Sequence, residues 1–360
     1  MIKYIKWGVF MKKTVSAIVL VLMIAVTFLF TTFYIVKNPV EPMPENTGEV
    51  SNEPPQSESI KEPEPETTIN TGANPAMWEV HAKQGNGHIY FLGSVHVGDE
   101  SMFPLCQKVT DAYNESEFLA VECDMVAFSK DISAQLETVK KYICQRGSDI
   151  EDYLSEETYA LMMNFLTENN VEGLSMYKNY RPAMWYSLMS NVFTTMSGFS
   201  SEQGIDQYFL KDAHKNNKKI LEIESVSFQD DLFISQPDKL YDFMIRQSIK
   251  YSDIEVQNLK DIVYYYKTGS IEKIIEETEI EDSPEDYGIT EEEYKNLEEM
   301  SDKYNKSLLN DRNVGMAETA IEYLESGKTV FYVVGLAHFI DEANIIDYMK
   351  NLGYEINRVN

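Results

Sequence analysis

Two apolar segments, each ended by a glycine and followed by a histidine, constrain the fold of this chain more than any other feature. Residues 89–98 read IYFLGSVHVG, and residues 330–338 read VFYVVGLAH. Apolar runs of this length, rich in aromatic and β-branched residues, are typical of buried strands. Each run places a histidine three residues after its glycine, His96 and His338. Because clefts open beyond the carboxyl ends of strands in α/β sheets, we predict that the two histidines meet across one active site.

Charge and cysteine content exclude several classes of protein. The formal net charge of the 360 residues is −28. The chain therefore lacks the basic surface that binds nucleic acid or, through its main body, an anionic membrane. The three cysteines, Cys106, Cys123 and Cys144, show no CxxC spacing, which excludes a disulfide framework and a cysteine-based zinc site. This pattern does not exclude a single disulfide, but it favours free, buried thiols.

The first 75 residues differ in composition from the rest of the chain. Residues 1–13 carry four lysines and predict a cytoplasmic basic tail. Residues 14–36 carry no charge and are long enough to span a bilayer, which predicts a transmembrane anchor, with a cleaved signal peptide as the alternative. Residues 37–75 are rich in Pro, Glu, Ser and Thr and predict a disordered linker. We therefore expect a single-pass protein of the cell membrane whose folded domain, residues 76–360, is extracytoplasmic.

The pattern of the folded domain is typical of an α/β protein. Strands are predicted over residues 77–80, 88–92, 118–121, 219–223, 330–335 and 354–359. Helical patterns cover residues 131–170, 183–196, 228–267 and 307–326. In the first of these segments Ile132, Leu136, Val139 and Ile143 fall on one face, and Ser155 is predicted to be an N-cap.

The chain has five histidines, and two of them stand apart. A lone histidine is more often a structural residue than a ligand, and we interpret His81, His88 and His214 in this way. His96 and His338 differ because they recur in the same strand–Gly-x-x-His context. A glycine at such a position allows a sharp turn or the close approach of a ligand.

Carboxylates at the ends of other strands are natural partners for these two imidazoles. Neutral imidazoles bind divalent metals, and a catalytic metal usually has three protein ligands and an open position for water. Glu122 and Glu224 each follow a predicted strand. One of them is predicted to be a metal ligand and the other a general base. The alternative is that both merely end strands in solvent.

Two further polar residues lie near these motifs. Arg312 occupies a polar patch of the helix before the second histidine strand, where a guanidinium could bind a substrate carboxylate or a developing oxyanion. The alternative is an ordinary salt bridge with a surface acid. Ser94 lies two residues before His96. It is a poor candidate for a nucleophile, because the members of a catalytic triad usually come from separate elements.

Seven short motifs occur in an order that resembles a known family. They are FLGSVHVGD, AVECDM, RPAMW, GIDQYFL, ILEIESVSFQ, DRN and VVGLAH. In this order they resemble the TraB/GumN family, which is related to the TIKI metalloproteases and to the pheromone-shutdown protein PrgY. The resemblance extends over residues 77–360. It implies a two-halved α/β domain, a mixed sheet flanked by helices, in which the Gly-x-x-His motifs face each other.

The resemblance also implies roles for individual residues. The two histidines and the glutamate between them correspond to His96, His338 and Glu122. TIKI-type members resemble divalent-metal proteases that act on extracellular peptides, with manganese or cobalt favoured, whereas other members sequester or block a peptide signal. The chain departs from the family in lacking glycines after His338 and in an acidic insert at residues 271–300.

Two hypotheses for the function follow. The first is a membrane-anchored, extracytoplasmic, metal-dependent hydrolase, a peptidase that acts on a peptide or protein signal. In this hypothesis His96, Glu122 and His338 hold manganese, cobalt or zinc. Glu224 is the general base, and Arg312 stabilises the oxyanion. The second is a non-catalytic protein that binds and sequesters a peptide. The sequence predicts no nucleic-acid partner and leaves the oligomeric state open.

Overall fold

The computed structural model describes residues 72–275 and 282–360. The predicted basic tail, the predicted anchor and all but the end of the predicted linker lie outside these residues, as does part of the acidic insert. In the part of the chain that is described, no helix combines the length and the apolar character that a membrane span requires.

A six-stranded mixed sheet flanked by helices forms the centre of the fold. Its strands are β1 (Met77–His81), β2 (His88–Ser94), β3 (Phe118–Val121), β4 (Lys219–Glu222), β5 (Thr329–Gly335) and β6 (Ile356–Arg358). They lie in the order β4-β3-β5-β2-β1-β6. The strands β4, β3, β5 and β2 are mutually parallel, whereas β1 is antiparallel to both β2 and β6.

The predicted strands are confirmed, with small shifts at their ends. The two strands that precede the histidine motifs, β2 and β5, are direct neighbours in the sheet, because Gly93 pairs with Val334 and Ser94 with Gly335. Neighbouring parallel strands end at the same edge. The sheet therefore delivers both Gly-x-x-His segments to one place.

The helices of the described residues pack around this sheet. They are α1 (Gln107–Glu115), α2 (Met125–Phe128), α3 (Ile132–Lys141), α4 (Glu156–Glu168), α5 (Pro182–Met196), α6 (Ile205–Asn216), α7 (Val226–Ile234), α8 (Asp238–Lys250), α9 (Ser252–Thr268), α10 (Ile271–Ile275), α11 (Glu291–Leu308), α12 (Asn310–Glu325), α13 (Ala337–Ile340) and α14 (Ile345–Asn351). Short 3-10 helices cover Glu100–Met102, Ile150–Asp152, Leu174–Met176, Ser201–Gln203 and Pro284–Tyr287.

The segment 131–170 is helical, as predicted, and forms two helices, α3 and α4, of which the second begins at the predicted N-cap Ser155. The apolar face of α3 is largely exposed, since Ile132 is 71% exposed and Leu136 is 56% exposed. A polar contact links α3 to α7 instead: the buried hydroxyl of Thr138 donates to Asp230 Oδ2 at 2.9 Å. Hydrophobic periodicity cannot detect a helix that docks through a hydrogen bond of this kind.

The predicted helix over residues 228–267 forms three helices, α7, α8 and α9. Pro237 precedes α8 at its N-cap, and a proline lacks the N–H that a continuous helix needs. In the tyrosine cluster of α9, Tyr264 is 62% exposed, whereas Tyr266 is buried. The Tyr266 hydroxyl donates to the carbonyl oxygen of Gly93 at 2.7 Å, so α9 supports the end of β2.

Two other predictions have clear outcomes. The three cysteines are free and buried, which confirms the favoured interpretation. The helix predicted over residues 307–326 begins later, as α12, because Leu309 caps the end of α11 and the start of α12.

Gly93 brings the two histidine segments into contact. A Cβ atom at this position would lie 2.5 Å from Leu336 Cδ1 and 2.8 Å from Leu336 Cα. The backbone N–H of Leu336 also donates to the carbonyl oxygen of Ser94 at 2.9 Å. A side chain at residue 93 would therefore push the segment that carries His338 away from β2.

Replacing Gly93 by alanine is expected to lower the free energy of unfolding by about 1–3 kcal/mol, the usual cost of forcing an extra group into a packed interior. Gly315→Ala is the matched control, because no atom lies within 4 Å of the added Cβ in α12. There alanine should stabilise the helix by about 0.5–1 kcal/mol. Urea unfolding measures both variants, and equal stability of the two would contradict the tight contact between Gly93 and Leu336.

Candidate functional site

The carboxyl ends of the four parallel strands meet at one edge of the sheet, and each strand is followed by a predicted site residue. In the spatial order β4, β3, β5, β2 these residues are Glu224, Glu122, His338 and His96. The pairing of β3 with β4 on one side and with β5 on the other fixes this alignment. The topology thus gathers residues from distant parts of the chain at the edge where α/β sheets bind ligands.

The segment that opens α6 fixes the first histidine. His96 Nδ1 and Asp206 Oδ1 are 2.9 Å apart. The N–H of Ile205 donates to the carbonyl of Val95 at 3.0 Å, and a Cβ atom on Gly204 would lie 2.7 Å from the His96 carbonyl oxygen. The carboxylate places the ring proton on Nδ1. The lone pair is left on Nε2, which is buried and has no hydrogen-bond partner among residues 72–275 and 282–360.

The helix α12 fixes the second histidine in the same way. Asn313 Oδ1 accepts from His338 Nδ1 at 2.7 Å, and Asn313 Nδ2 donates to the carbonyl of Ala343 at 3.1 Å, which sets the orientation of the amide. The fully buried Nε2 of His338 has no hydrogen-bond partner in the described part of the chain and lies 3.8 Å from Glu122 Oε1. In each ring the contact at Nδ1 leaves Nε2 as the nitrogen that could bind a metal when the imidazole is uncharged.

The surroundings shift the pKa values of the two histidines in opposite directions. Burial lowers the pKa of His96, but the adjacent Asp206 carboxylate outweighs it, and the net shift is upward. Burial, followed by the positive charge of Arg312, lowers the pKa of His338 to about 3. His338 is therefore uncharged at neutral pH, as a metal ligand must be.

A buried arginine joins the two carboxylates. Arg312 is 4% exposed, and its Nη2 lies 2.6 Å from Glu122 Oε2 and 2.6 Å from Glu224 Oε2. Its Nε donates to Glu224 Oε1 at 2.9 Å, and its Nη1 donates to the carbonyl of Leu308 at 3.0 Å. Gln229 Nε2 donates to both carboxylates, at 2.9 Å each. Glu122 and Glu224 thus accept hydrogen bonds from the same two side chains, Arg312 and Gln229.

This network controls the ionisation of Glu122. Burial raises the pKa of Glu122, but Arg312, the two histidines and the backbone N–H of Gly335 outweigh burial and hold the pKa at about 2. The Gly335 N–H donates to Glu122 Oε1 at 2.8 Å. Burial lowers the pKa of Arg312, but the two glutamates outweigh it and raise that pKa. Glu122 is therefore a carboxylate across the neutral range.

A small cavity of about 20 Å³, which is large enough for one water molecule or one ion, adjoins part of this network, although His338, Glu224 and Arg312 do not line it. Its polar lining residues are Ser94, His96, Glu122, Cys123, Asp206 and Gln229. Beside it, two carboxylates face a single guanidinium, so the buried charge is negative and would be stabilised by a cation. The unpartnered imidazole nitrogens and this excess of negative charge are donors of the kind that bind a divalent metal, but in the described residues the ligand atoms of His96, Glu122 and His338 do not all lie within 4.8 Å of one another.

Some of these contacts could not be anticipated. Sequence reasoning did not single out Gln229, whose only signal was its place at the end of the ILEIESVSFQ motif. It also gave Arg312 a role toward substrate, whereas each of its three nitrogens donates to a protein oxygen. Ser94 lines the cavity, and its buried hydroxyl has no partner in the described residues.

A second group of potential metal ligands lies at the opposite edge of the sheet. Among the described residues, Glu79, His81 and His88 are the histidine and acidic side chains whose ligand atoms all lie within 4.8 Å of one another, and they could hold a metal ion. The interpretation of His81 and His88 as structural residues stays a prediction, and their geometry adds a possible metal site to it. His214 instead pairs with Asp124, at 2.8 Å from Nε2 to Oδ2.

The fold and the site together define an α/β protein with a histidine- and carboxylate-lined centre at the carboxyl edge of its sheet. The TraB/PrgY/gumN family matches residues 76–358 of the chain. The chain belongs to this family, as the order of its motifs predicted.

Comparisons with curated proteins give distant relatives. The chain is 25% identical over 190 residues to the Metalloprotease TIKI homolog of Nematostella vectensis, covering 49% of this chain and 40% of the relative. It is 23% identical over 305 residues to Metalloprotease TIKI1 of Xenopus tropicalis, covering 74% and 58%. It is 27% identical over 157 residues to Uncharacterized protein YbaP of Escherichia coli (strain K12), covering 43% and 55%. The chain spans about half the length of these relatives, and no solved structure matches it significantly.

Replacing Arg312 by methionine is expected to lower the free energy of unfolding at pH 7 by about 3–5 kcal/mol, because Glu122 and Glu224 would stay buried without their counter-ion. Arg181→Met is the matched control. Arg181 binds both oxygens of Asp238, at 3.0 and 3.1 Å, but its side chain is 28% exposed, so its loss should cost at most about 1 kcal/mol. Urea denaturation measures both variants, and a loss at Arg312 no larger than at Arg181 would contradict the expectation.

The pH dependence of stability tests the same ion pair. The pKa of Glu122 is about 2 in the folded chain, against an ordinary value of 4.5. Its contacts therefore stabilise the wild type fully above pH 4.5, and this contribution is lost as the pH falls from 4.5 to 2. In Arg312→Met the pKa of Glu122 rises, so less stability should be lost over this range. Chemical denaturation at several pH values measures the loss, and the same loss in both proteins would refute the assignment.

Proposed function

We propose that this chain is a metal-dependent hydrolase that cleaves peptide bonds, with His96, Glu122 and His338 as the metal ligands. The observation that carries the proposal is the pair of buried imidazoles whose Nε2 atoms have no partner in the described residues, beside an ionised carboxylate. An unpartnered buried polar atom costs free energy, which a bound metal ion would recover. The distant relationship to proteins named metalloproteases supports the same function.

The protein groups around the centre orient its ligands. A bound divalent metal would polarise a substrate carbonyl and lower the pKa of a bound water. Asp206 and Asn313 hold the protons on Nδ1 of the two histidines and fix the rings. Arg312 and Gln229 keep Glu122 ionised and in place. These contacts are all made within the protein, so they hold the side chains of the centre in place without help from a substrate.

Glu224 and Arg312 are proposed to act together as general base and oxyanion donor. In this structure both are engaged, because Glu224 accepts hydrogen bonds from Arg312 and Gln229. For Glu224 to take a proton, it must release Arg312. The released guanidinium is then available to donate to the oxyanion that develops on the substrate. We propose that substrate binding causes this exchange.

The substrate class and the location of the chain are part of the same proposal. We propose that the substrate is a peptide or protein signal outside the cell membrane, to which residues 14–36 anchor the chain. The basis is the uncharged composition of residues 14–36 and the lysines that precede them. These residues lie outside the described part of the structure.

Metal-dependent cleavage of a peptide library, detected by mass spectrometry, tests the reaction. Chelation is expected to abolish cleavage, and manganese, cobalt or zinc to restore it. Glu122→Gln should lower turnover at least about 100-fold, and His338→Ala should also lower the number of bound metal ions per chain by one. His214→Ala is the matched control, because His214 pairs with Asp124 and does not line the cavity.

The engagement of Glu224 and Arg312 also favours a second candidate, capture of a peptide without catalysis. This candidate predicts a peptide affinity that survives chelation and yields no cleaved product. Cleavage that disappears in Glu122→Gln would exclude peptide capture as the sole function. Binding that is unchanged by chelation, with no product in any library, would exclude the hydrolase.

A further inference from the structure

The hairpin β1–β2 carries three potential metal ligands on one face, at the end of the sheet away from the candidate site. Glu79 and His81 are two residues apart on β1, and side chains two apart on a strand share a face. His88 opens β2 and pairs directly with His81. The hairpin register therefore brings all three side chains together.

The hydrogen bonds of the hairpin show that the side chains of His81 and His88 lie at a position of close approach between the two strands. The N–H of Ala82 donates to the carbonyl of Gly87 within the hairpin at 2.9 Å, whereas the N–H of His88 points to the other side and donates to the carbonyl of Lys328 at 2.9 Å. His81 and His88 thus form a non-hydrogen-bonded pair, in which side chains come closest. Their rings are stacked, with centroids 4.0 Å apart.

The ligand atoms of the three residues converge. One ligand atom from each lies within 4.8 Å of the other two, and His88 Nε2 lies 3.5 Å from Glu79 Oε2. This Nε2 is shielded from solvent and has no hydrogen-bond partner within the described ranges. A buried nitrogen without a partner is unfavourable unless something binds it.

The two imidazoles differ in their surroundings. Burial, followed by the neighbouring His81, lowers the pKa of His88, so its lone pair is available at neutral pH. His81 is exposed. Rotation about the broad terminal torsion of its side chain can turn its ring nitrogen toward an ion bound at His88 and Glu79.

We propose that Glu79, His81 and His88 form a second metal site, which binds a divalent late transition metal such as zinc. Two imidazoles and a carboxylate are a donor set that zinc prefers, and the exposed side leaves a fourth position for water. The site lies at the loop end of the hairpin and ties β1 to β2. It is separate from the candidate site, because β2 spans about 20 Å between His88 and Ser94 at roughly 3.3 Å per residue.

The test uses the full chain in the His338→Ala background, in which the candidate site is disabled. Zinc titration by calorimetry is expected to show one bound ion per chain, and cobalt should give the absorption of a tetrahedral centre. Adding His81→Ala should weaken zinc binding by at least about 10- to 100-fold and remove the rise in melting temperature that zinc produces. Glu79→Gln should weaken binding in the same direction.

The matched control adds His214→Ala to the same background, and this variant should bind zinc unchanged. Zinc affinity that is equal with and without His81 would overturn the proposal, as would the absence of any zinc binding in His338→Ala. The result is independent of the proposed reaction. Failure of the hairpin site leaves metal-dependent cleavage untouched, and loss of cleavage in Glu122→Gln leaves the hairpin site untouched.

Discussion

The buried Arg312 guanidinium is the interaction on which the carboxyl edge of the sheet depends. Two carboxylates at the ends of neighbouring strands, Glu122 and Glu224, would repel each other in a water-poor interior. Arg312 contacts both at 2.6 Å and makes their proximity stable. Because Arg312 belongs to α12, the same contacts fix this helix to the sheet. The next residue of α12, Asn313, then orients His338, so one helix supplies both the counter-charge and the positioning of a histidine.

Close backbone approach is the second condition for the site. Gly93 lets Leu336 lie against the end of β2, and Gly204 lets the start of α6 lie against His96. A side chain at either glycine would separate the elements that the histidines join. Gly93 is thus explained by its contact with Leu336 in the second histidine segment. It is not there to form a turn within the first segment.

The strand β2 connects the two ends of the sheet. It begins at His88, one of the three potential metal ligands of the hairpin, and leads to His96 in the candidate site. The surroundings of the two groups differ, since His96 and His338 are buried and held by second partners, whereas His81 is exposed. Outer hydrogen bonds fix the rings of metal-binding histidines. The imidazoles at the carboxyl edge are therefore held in fixed orientations, whereas His81 of the hairpin lies at the surface.

The sequence by itself determined the strands, the two histidine segments and the family, because period-two patterns, glycine positions and the order of motifs are local properties of the chain. It also indicated that Glu122 and Glu224 end strands, and topology then placed them side by side. Only the tertiary structure decided the partners of Arg312, which lie 190 and 88 residues away in the chain, and the exposed face of α3, which docks through Thr138 and Asp230. Contacts of this kind depend on how distant elements pack, and a one-dimensional pattern of apolar and polar residues does not contain that information.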